Sequence, residues 1–434
     1  MSRSKSAWLT DLPYGWRTVN LGHVATVGTG SADVQDSDPN GMYPFVVRSP
    51  KLLSLGNYTH DTEAVLTAGD GNVGEIFHHL KGKFAAHQRV YVIEPGRNLH
   101  GRFLYYVMRG SFLNSLQGST AKSTVESLRR PMLTGFSIPL PPMHLQQQVA
   151  DYLDHETAEI DAAISDQIAL IGLLKERQRV QKYRLATGQT LATSLGTEVV
   201  RFWGELPLDW SLQKLQWHFD IGNGSTPSTS TARYWGQDGF PWLNSSVVNE
   251  PSVIHPSRFV SDAALDELHL PIVPPGSLLM GITGQGKTRG MITVLDIEAT
   301  INQHLAYITP RSSQGPITVE YLRLALDVAY PELRQLSDGN GGTKGALTCH
   351  MLQQFRVPVP PKNLQAALVT EARRETARTA QAVADAESFI ALARERRAAL
   401  ITAAVTGQID VTARNKPATE QPEDDIAQGL HREN

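Results

Sequence analysis

The chain has 434 residues, 41% of them hydrophobic and 19% charged, a length that allows several domains with separate cores. No apolar run is long enough for a membrane-spanning helix, "MSRSKSAWLTDLP" lacks a signal-peptide centre, and Cys349 is the single cysteine. These features exclude an internal disulfide and a thiolate metal cluster, and they fit a cytoplasmic protein.

In chain order, residues 1–141 read as a β-rich globular domain. Short apolar runs such as "YPFVV" and "RVYVIEP" suggest strands, and "LHGRFLYYVMRGSFLNSL" suggests a helix. Residues 43–135 hold 11 Lys and Arg against 6 Asp and Glu, so this stretch is locally basic. Pro141-Pro142 ends the domain and stands where a helix begins. A long helix follows over 142–190, with Leu153, Ile160, Ile164, Ile171 and Leu174 on one stripe, and Thr187-Gly188-Gln189 ends it.

Residues 191–360 read as a second β-rich domain, with "SLLMGIT" and "LAYITP" as strands and "VEYLRLALDVAY" as helix. A second long helix is expected over 361–411. Val383, Ala386, Ile390, Ala393, Arg397 and Leu400 keep a 3,4 spacing along it, and Thr406-Gly407-Gln408 ends it. The tail, 412–434, is expected to be disordered. Its last twenty residues carry five acids against two bases, which accounts for the net charge of −3.

The chain is written twice. "LPYGW" (12–16) recurs as "LPLDW" (206–210), an offset of 194 that also carries Gly28 onto Gly222 and Gly30-Ser31 onto Gly224-Ser225. "FSIPLPPMHLQ" recurs as "FRVPVPPKNLQ" at an offset of 219, and the same offset matches the helix ends. The second copy is thus expanded in its middle, not in its helix. The expected fold class is α+β: two mixed β-rich domains and two long antiparallel coiled-coil helices, duplicated about a pseudo-twofold.

Gly281–Thr288, "GITGQGKT", matches the phosphate loop G-x-x-x-x-G-K-[ST]. That loop needs a helix after it, whereas "RGMITVLDI" reads as a strand. Aligned on its glycines, the first copy offers "LTAGDGNV", with Gly71 facing Lys287 and Asn72 facing Thr288. The twin therefore lacks the lysine that a nucleotide site requires. No other catalytic set emerges. His78, His79 and His87 lack an acid or Cys at ligand spacing, so no metal is expected.

"GNGSTPSTSTARYWGQDGFPWLNSSVV" (222–248) resembles the opening of target recognition domains in the DNA specificity subunits of type I restriction–modification systems. Gly224, Thr226, Pro227, Ser228, Tyr234, Trp235, Gly236, Pro241 and Trp242 carry the likeness. The Pro-rich helix entries and T-G-Q endings extend it over roughly residues 12–411. The first copy keeps only Gly30, Ser31 and Tyr43-Pro44-Phe45, opposite Phe240-Pro241-Trp242.

The resemblance implies a non-catalytic subunit whose domains each read half of a bipartite double-stranded DNA site. It also implies two adenine methyltransferase subunits as partners, and restriction subunits recruited through them. S-adenosylmethionine, ATP and Mg are then expected on those partners, with no cofactor on this chain. Two alternatives stay open at this point: a coiled-coil scaffold with duplicated protein-binding domains, or a P-loop NTPase through Gly281–Thr288.

Two Gly-rich stretches per copy are candidate DNA contacts, because small residues let backbone approach phosphate: 67–74 with 283–290, and 117–124 with 339–346. The candidate side chains are Arg48, Lys51, Asn72, Lys122, Ser123, Thr226, Tyr234, Lys287, Thr288, Arg289, Thr343 and Lys344. Gln88 and Gln303 share one position and suit either base reading or structure. Basic residues near the helix C-termini, Lys175, Arg177, Arg179, Arg394, Arg396 and Arg397, are candidates for partner or phosphate contact.

Overall fold

The structure is a computed structural model; it describes residues 9, 12–71, 73–117, 127–190, 202–284, 286–338 and 345–411. The expected tail lies outside these residues. The chain divides into two compact units, Met1–Ile168 with Ala386–Asn434, and Ala169–Asp385.

In the first unit β1 (Arg17–Asn20) pairs antiparallel with β8 (Ser137–Leu140), placing Thr18 opposite Pro139. A proline with no N–H is tolerated there because the ribbon has only two strands. The main sheet contains β2 (Ala25–Thr29), β3 (Tyr43–Val46), β4 (Leu53–Leu55), β5 (His60–Ala68), β6 (Phe77–Ala86) and β7 (Val90–Pro95). Their order is β2-β7-β5-β6-β3-β4, with β3 and β6 parallel at Phe45–Ala85 and the other neighbours antiparallel.

Helix α1 (Gly101–Gln117) lies on this sheet and buries Phe103, Leu104, Tyr106, Val107 and Met108 almost completely. Each such side chain contributes about 1.5–3 kcal/mol through removal from water. Short α2 (Arg130–Thr134) precedes β8, and α3 (Met143–Ala186) follows the Pro pair.

The second unit repeats the plan. β9 (Ser211–Lys214) pairs with β19 (Arg356–Val359), Leu212 opposite Pro358. A five-stranded sheet joins β10 (Phe219–Asn223), β13 (Ser252–Val253), β15 (Ser277–Gly281), β16 (Ile292–Leu295) and β18 (Leu305–Pro310) in the order β10-β18-β15-β16-β13. A four-stranded sheet joins β11 (Trp235–Gly236), β12 (Phe240–Leu243), β14 (Arg258–Val260) and β17 (Thr300–Ile301) in the order β11-β14-β12-β17.

Helices α4 (Asp262–Leu268), α5 (Val319–Val328), α6 (Tyr330–Asp338) and α7 (Cys349–Gln354) complete the domain, and α8 (Lys362–Val405) is the second long helix. The expected helix "VEYLRLALDVAY" thus becomes two. Pro331 has no N–H to continue the ladder, and the chain re-enters helix at Tyr330.

Strand pairing gives the correspondence between the copies. Phe45 and Val46 lie parallel beside Ala85 and Ala86, as Trp242 and Leu243 lie beside Thr300 and Ile301. The match of Tyr43-Pro44-Phe45 with Phe240-Pro241-Trp242 therefore rests on equivalent strands. β14 pairs with β12 as β4 pairs with β3, so the extra length of the second copy includes β13 and α4.

Both long helices have 44 residues. In the first unit Val149, Ala150 and Leu153 share a core with Ile401, Ala404 and Val405, and Arg397 pairs with Asp161. In the second, Leu185 and Ala186 share a core with Leu368, Val369 and Ala372, and Arg177 approaches Glu375 at 3.7 Å. The stripe Val383, Ala386, Ile390, Ala393, Arg397 and Leu400 is the more shielded face of this part of α8, with Ala386 and Ile390 buried and the others half-buried.

Candidate nucleic-acid interface

Beyond β2 the chain turns tightly against the end of β6. Gly30 N–H donates to the Val90 carbonyl and Ser31 N–H to that of Ala86, both at 3.0 Å. In the second unit Ser225 N–H donates to the Ile301 carbonyl at 3.0 Å. A Cβ on Gly30 would overlap the Ala86 carbonyl, and one on Gly224 would overlap that of Ile301. The repeated Gly-Ser pair is thus demanded by close backbone approach.

The next loop leaves β5 in one unit and β15 in the other. Gly69 N–H donates to the Arg89 carbonyl at 2.8 Å, and Leu128 N–H to that of Gly69 at 2.7 Å. Ile282 N–H donates to the His304 carbonyl at 3.0 Å, and Leu347 N–H to that of Ile282 at 2.8 Å. Bridges Asp70–Ser127 and Thr283–Ala346 follow the same pattern. In each unit, then, the chain leaving the second Gly-rich stretch is pinned against the first loop.

This pairing corrects the register read from the glycines. Asp70 stands opposite Thr283 and Gly71 opposite Gly284, three residues away from the earlier alignment. Lys287 falls in a loop two residues longer than its twin, between Met280 (paired with Ile292) and β16, where the first unit pairs Thr67 with Phe77. The loop after Thr288 runs into β16 and no helix begins there. The carbonyls of Gly286 and Lys287 accept from Arg334 (2.6 Å) and Tyr330 (2.7 Å). Among the described residues the loop lacks the helix N-terminus that a nucleotide site requires.

The candidate side chains divide by exposure and partner. Lys51 and Lys287 are exposed and Thr288 is half-buried. Arg289 is 2% exposed and donates to Asp338, so its guanidinium faces inward and braces the loop. Thr226 is exposed and donates to Gln303 Oε1 at 2.5 Å. Tyr234 donates to Glu267 at 2.8 Å, and Arg233 clamps the same carboxylate at 2.8 and 2.7 Å.

Tyr234 thus belongs to a framework. Trp235 meets Trp242 edge-on at 5.1 Å, Arg258 lies 3.9 Å over the Trp235 ring, and the two indole N–H groups donate to the Ser228 and Ser225 carbonyls. Asn72, Lys122, Ser123, Thr343 and Lys344 lie outside the described residues.

Among the helix cations, Arg397 is bound to Asp161 at 2.9 Å and sits in the helix seam, not outside it. Its place is structural. Arg179 pairs with Glu176 one turn away at 2.8 Å, while Lys175, Arg394 and Arg396 are exposed.

Two residues escaped sequence reasoning. Asp70 accepts from Arg48 at 2.7 Å and from Arg89 at 2.9 Å. Arg48 chiefly, with Arg89, holds the Asp70 carboxyl below the usual range, against the opposing effect of burial. Behind them His87 is buried, and burial pushes its imidazole pKa down. Arg89 follows Gln88, a position already singled out, and that adjacency was the available signal.

A profile of the type I restriction modification DNA specificity domain matches residues 13–170 and 207–370. The chain belongs to that family. It is 34% identical to the Escherichia coli type I restriction enzyme EcoDI specificity subunit over 151 residues, 35% of this chain. That alignment spans only 33% of the relative. The EcoR124I/EcoR124II specificity subunit, also from Escherichia coli, is 20% identical over 75% of this chain and 77% of its own. A chain solved in work on the assembly and conformational transition of a type I R-M system matches with a TM-score of 0.65 at 21% identity, over 92% of this chain and all of that one. That likeness shows a shared fold. No helix among the described residues is long and apolar enough to cross a membrane.

Proposed function

We propose that this chain is the DNA sequence-specificity subunit of a type I restriction–modification complex, each globular domain reading one half of a bipartite, asymmetric site in double-stranded DNA. One observation carries the reading. Both units close the same loops on the same backbone frame, and the frame presents different side chains: Arg89 and Asp70 in one, His304 and Thr283 in the other. A shared scaffold with different tips suits a reader of two unlike half-sequences.

The two long helices pair antiparallel as a coiled coil and set the spacer between half-sites. Each would be about 66 Å long at ~1.5 Å per residue, enough to bridge major grooves about 34 Å apart. Their outer faces dock two adenine methyltransferase subunits, through which restriction subunits join. The apolar groups Leu173, Phe389 and Leu392, exposed on those helices, support this. S-adenosylmethionine, ATP and Mg act on the partners, in the cytoplasm. Lys51, Lys122, Ser123, Thr226, Lys287, Thr288, Thr343 and Lys344 remain proposed DNA contacts, with Asn72.

The test is selection from a random duplex library by the full chain assembled with its methyltransferase subunits at moderate salt. Enrichment of a two-part sequence is expected. Recovery of no preferred sequence would contradict the reading.

A further inference from the structure

Three separate segments meet at the tip of the first unit, and backbone bonds fix each to the next. His87 N–H donates to the Val46 carbonyl at 2.9 Å, two residues before Arg48. Gly69 N–H donates to the Arg89 carbonyl, one residue before Asp70, and the Arg89 N–H donates to His87 Nδ1 at 3.0 Å. Arg48, Asp70 and Arg89 are therefore held on a rigid frame.

On that frame one carboxylate bridges two guanidiniums. Asp70 Oδ1 takes Nη1 of Arg48 and Oδ2 takes Nη1 of Arg89. The side chains are 42% and 60% exposed for the arginines and 25% for the aspartate, so the cations face outward over the acid. A guanidinium carries five N–H donors and each here uses one nitrogen on Asp70. Among the described residues neither guanidinium has another hydrogen-bond partner. The trio carries a net positive charge and a row of outward donors. Two other arginines of the domain differ: Arg102 is bound to Asp154 and lies over Tyr105 and Tyr106, and Arg109 donates to Tyr105.

The second unit supplies a control within the same chain. Opposite Asp70 and Arg89 stand Thr283 and His304, in contact at 2.8 Å, and opposite Arg48 stands Ser245. The contact is kept while its chemistry is exchanged. Structural bracing would not require that exchange; sequence reading would.

We propose that Asp70 positions Arg48 and Arg89 as a paired guanidinium fork that reads guanine in the half-site of the first domain. Guanine presents two acceptors, O6 and N7, on its major-groove edge, and a guanidinium meets both at once. The proposal rests on the DNA-reading assignment above and adds the residues and the base. Asp70 itself is a positioning residue.

The test maps adenine methylation by sequencing in cells that express the full chain with its methyltransferase subunits. The half-site read by the first domain should contain guanine. Arg89→Ala and the charge-keeping Arg89→Lys should each lower the preference for guanine at one position of that half by about tenfold or more, leaving the other half unchanged. Asp70→Asn should lower it at the fork's positions while non-specific affinity at low salt does not fall. A half-site without guanine, or an unchanged motif in the Arg89 variants, overturns the proposal. So does uniform weakening on all sequences with a salt slope reduced by about one, the mark of a phosphate contact. A wild-type chain that directs no sequence-dependent methylation refutes the DNA-reading assignment itself, and this inference with it.

Discussion

Gln146 and Gln365, 219 residues apart, make the same three-bond clamp in the two halves of the chain. Gln146 Oε1 accepts from His100 N–H at 2.8 Å, and its Nε2 donates to the carbonyls of Asn98 (3.0 Å) and Pro141 (2.8 Å). Gln365 Oε1 accepts from Thr318 N–H at 2.8 Å, and its Nε2 donates to Pro316 (2.7 Å) and Pro360 (3.1 Å). Each amide, wholly buried, ties the first turn of a long helix to the loop that opens a domain helix.

Replacing either glutamine by leucine keeps much of the volume and strands an N–H and two carbonyls away from water. Each stranded group costs about 1–3 kcal/mol, so with three of them a loss of at least about 3 kcal/mol is expected. Urea unfolding should show a lower midpoint for Gln146→Leu and for Gln365→Leu, with Gln→Glu intermediate. An unchanged midpoint would remove the clamp from the account.

The glycines of the first loop are unequal. Gly30→Ala and Gly224→Ala are expected to disturb the loop and abolish recognition of one half-site, because the added Cβ meets a backbone carbonyl. Gly28→Ala should be nearly silent, since its Cβ would stand 4.0 Å from the nearest atom. Binding to a duplex carrying the selected motif, measured for all three variants, separates these outcomes.

The strands, the duplication, both long helices and the shielded stripe of α8 were legible in the sequence, because apolar periodicity and Pro punctuation report burial directly. The loop register was not. Glycines invited an alignment of Thr67 with Thr283, whereas main-chain pairing, which ignores residue type, sets Asp70 there. The roles of Tyr234, Arg289 and Arg397 were also hidden, since a polar side chain does not announce a distant carboxylate. Glu267, Asp338 and Asp161 lie 33, 49 and 236 residues from their partners.

Lys287 and Arg289, two residues apart, should behave oppositely. Lys287→Ala is expected to leave stability unchanged and to weaken DNA binding on all sequences, lowering the salt slope by about one. Arg289→Met should leave the loop less anchored and cost about 1–3 kcal/mol, discounted because Asp338 stays solvated. Salt-dependent binding and thermal melting of the two variants check this.

Acid should loosen the first domain before the second. His78, His79 and His87 all have imidazole pKa values depressed chiefly by burial, and in the second unit burial depresses that of His218. A depressed folded pKa means the unfolded chain binds more protons in this range, so the stabilisation is full above about pH 6.5 and lost as pH falls towards the folded values. Hydrogen exchange at pH 7.5 and 5.5 should show the larger loss of protection in β5, β6 and β7.

Deleting one heptad from each long helix keeps the stripe in register and removes about 10 Å of rise, close to three base pairs of DNA. The selected site should keep both half-sequences and shorten its spacer by about that amount. An unchanged spacer would show that the helices do not set it.

Methylation sequencing of cells with and without this chain, its methyltransferase partner present in both, bears most directly on the central claim. A two-part adenine-methylated motif, its halves separated by unread bases, is predicted only when the chain is present. A single contiguous motif, or a methylation pattern indifferent to the chain, would contradict it.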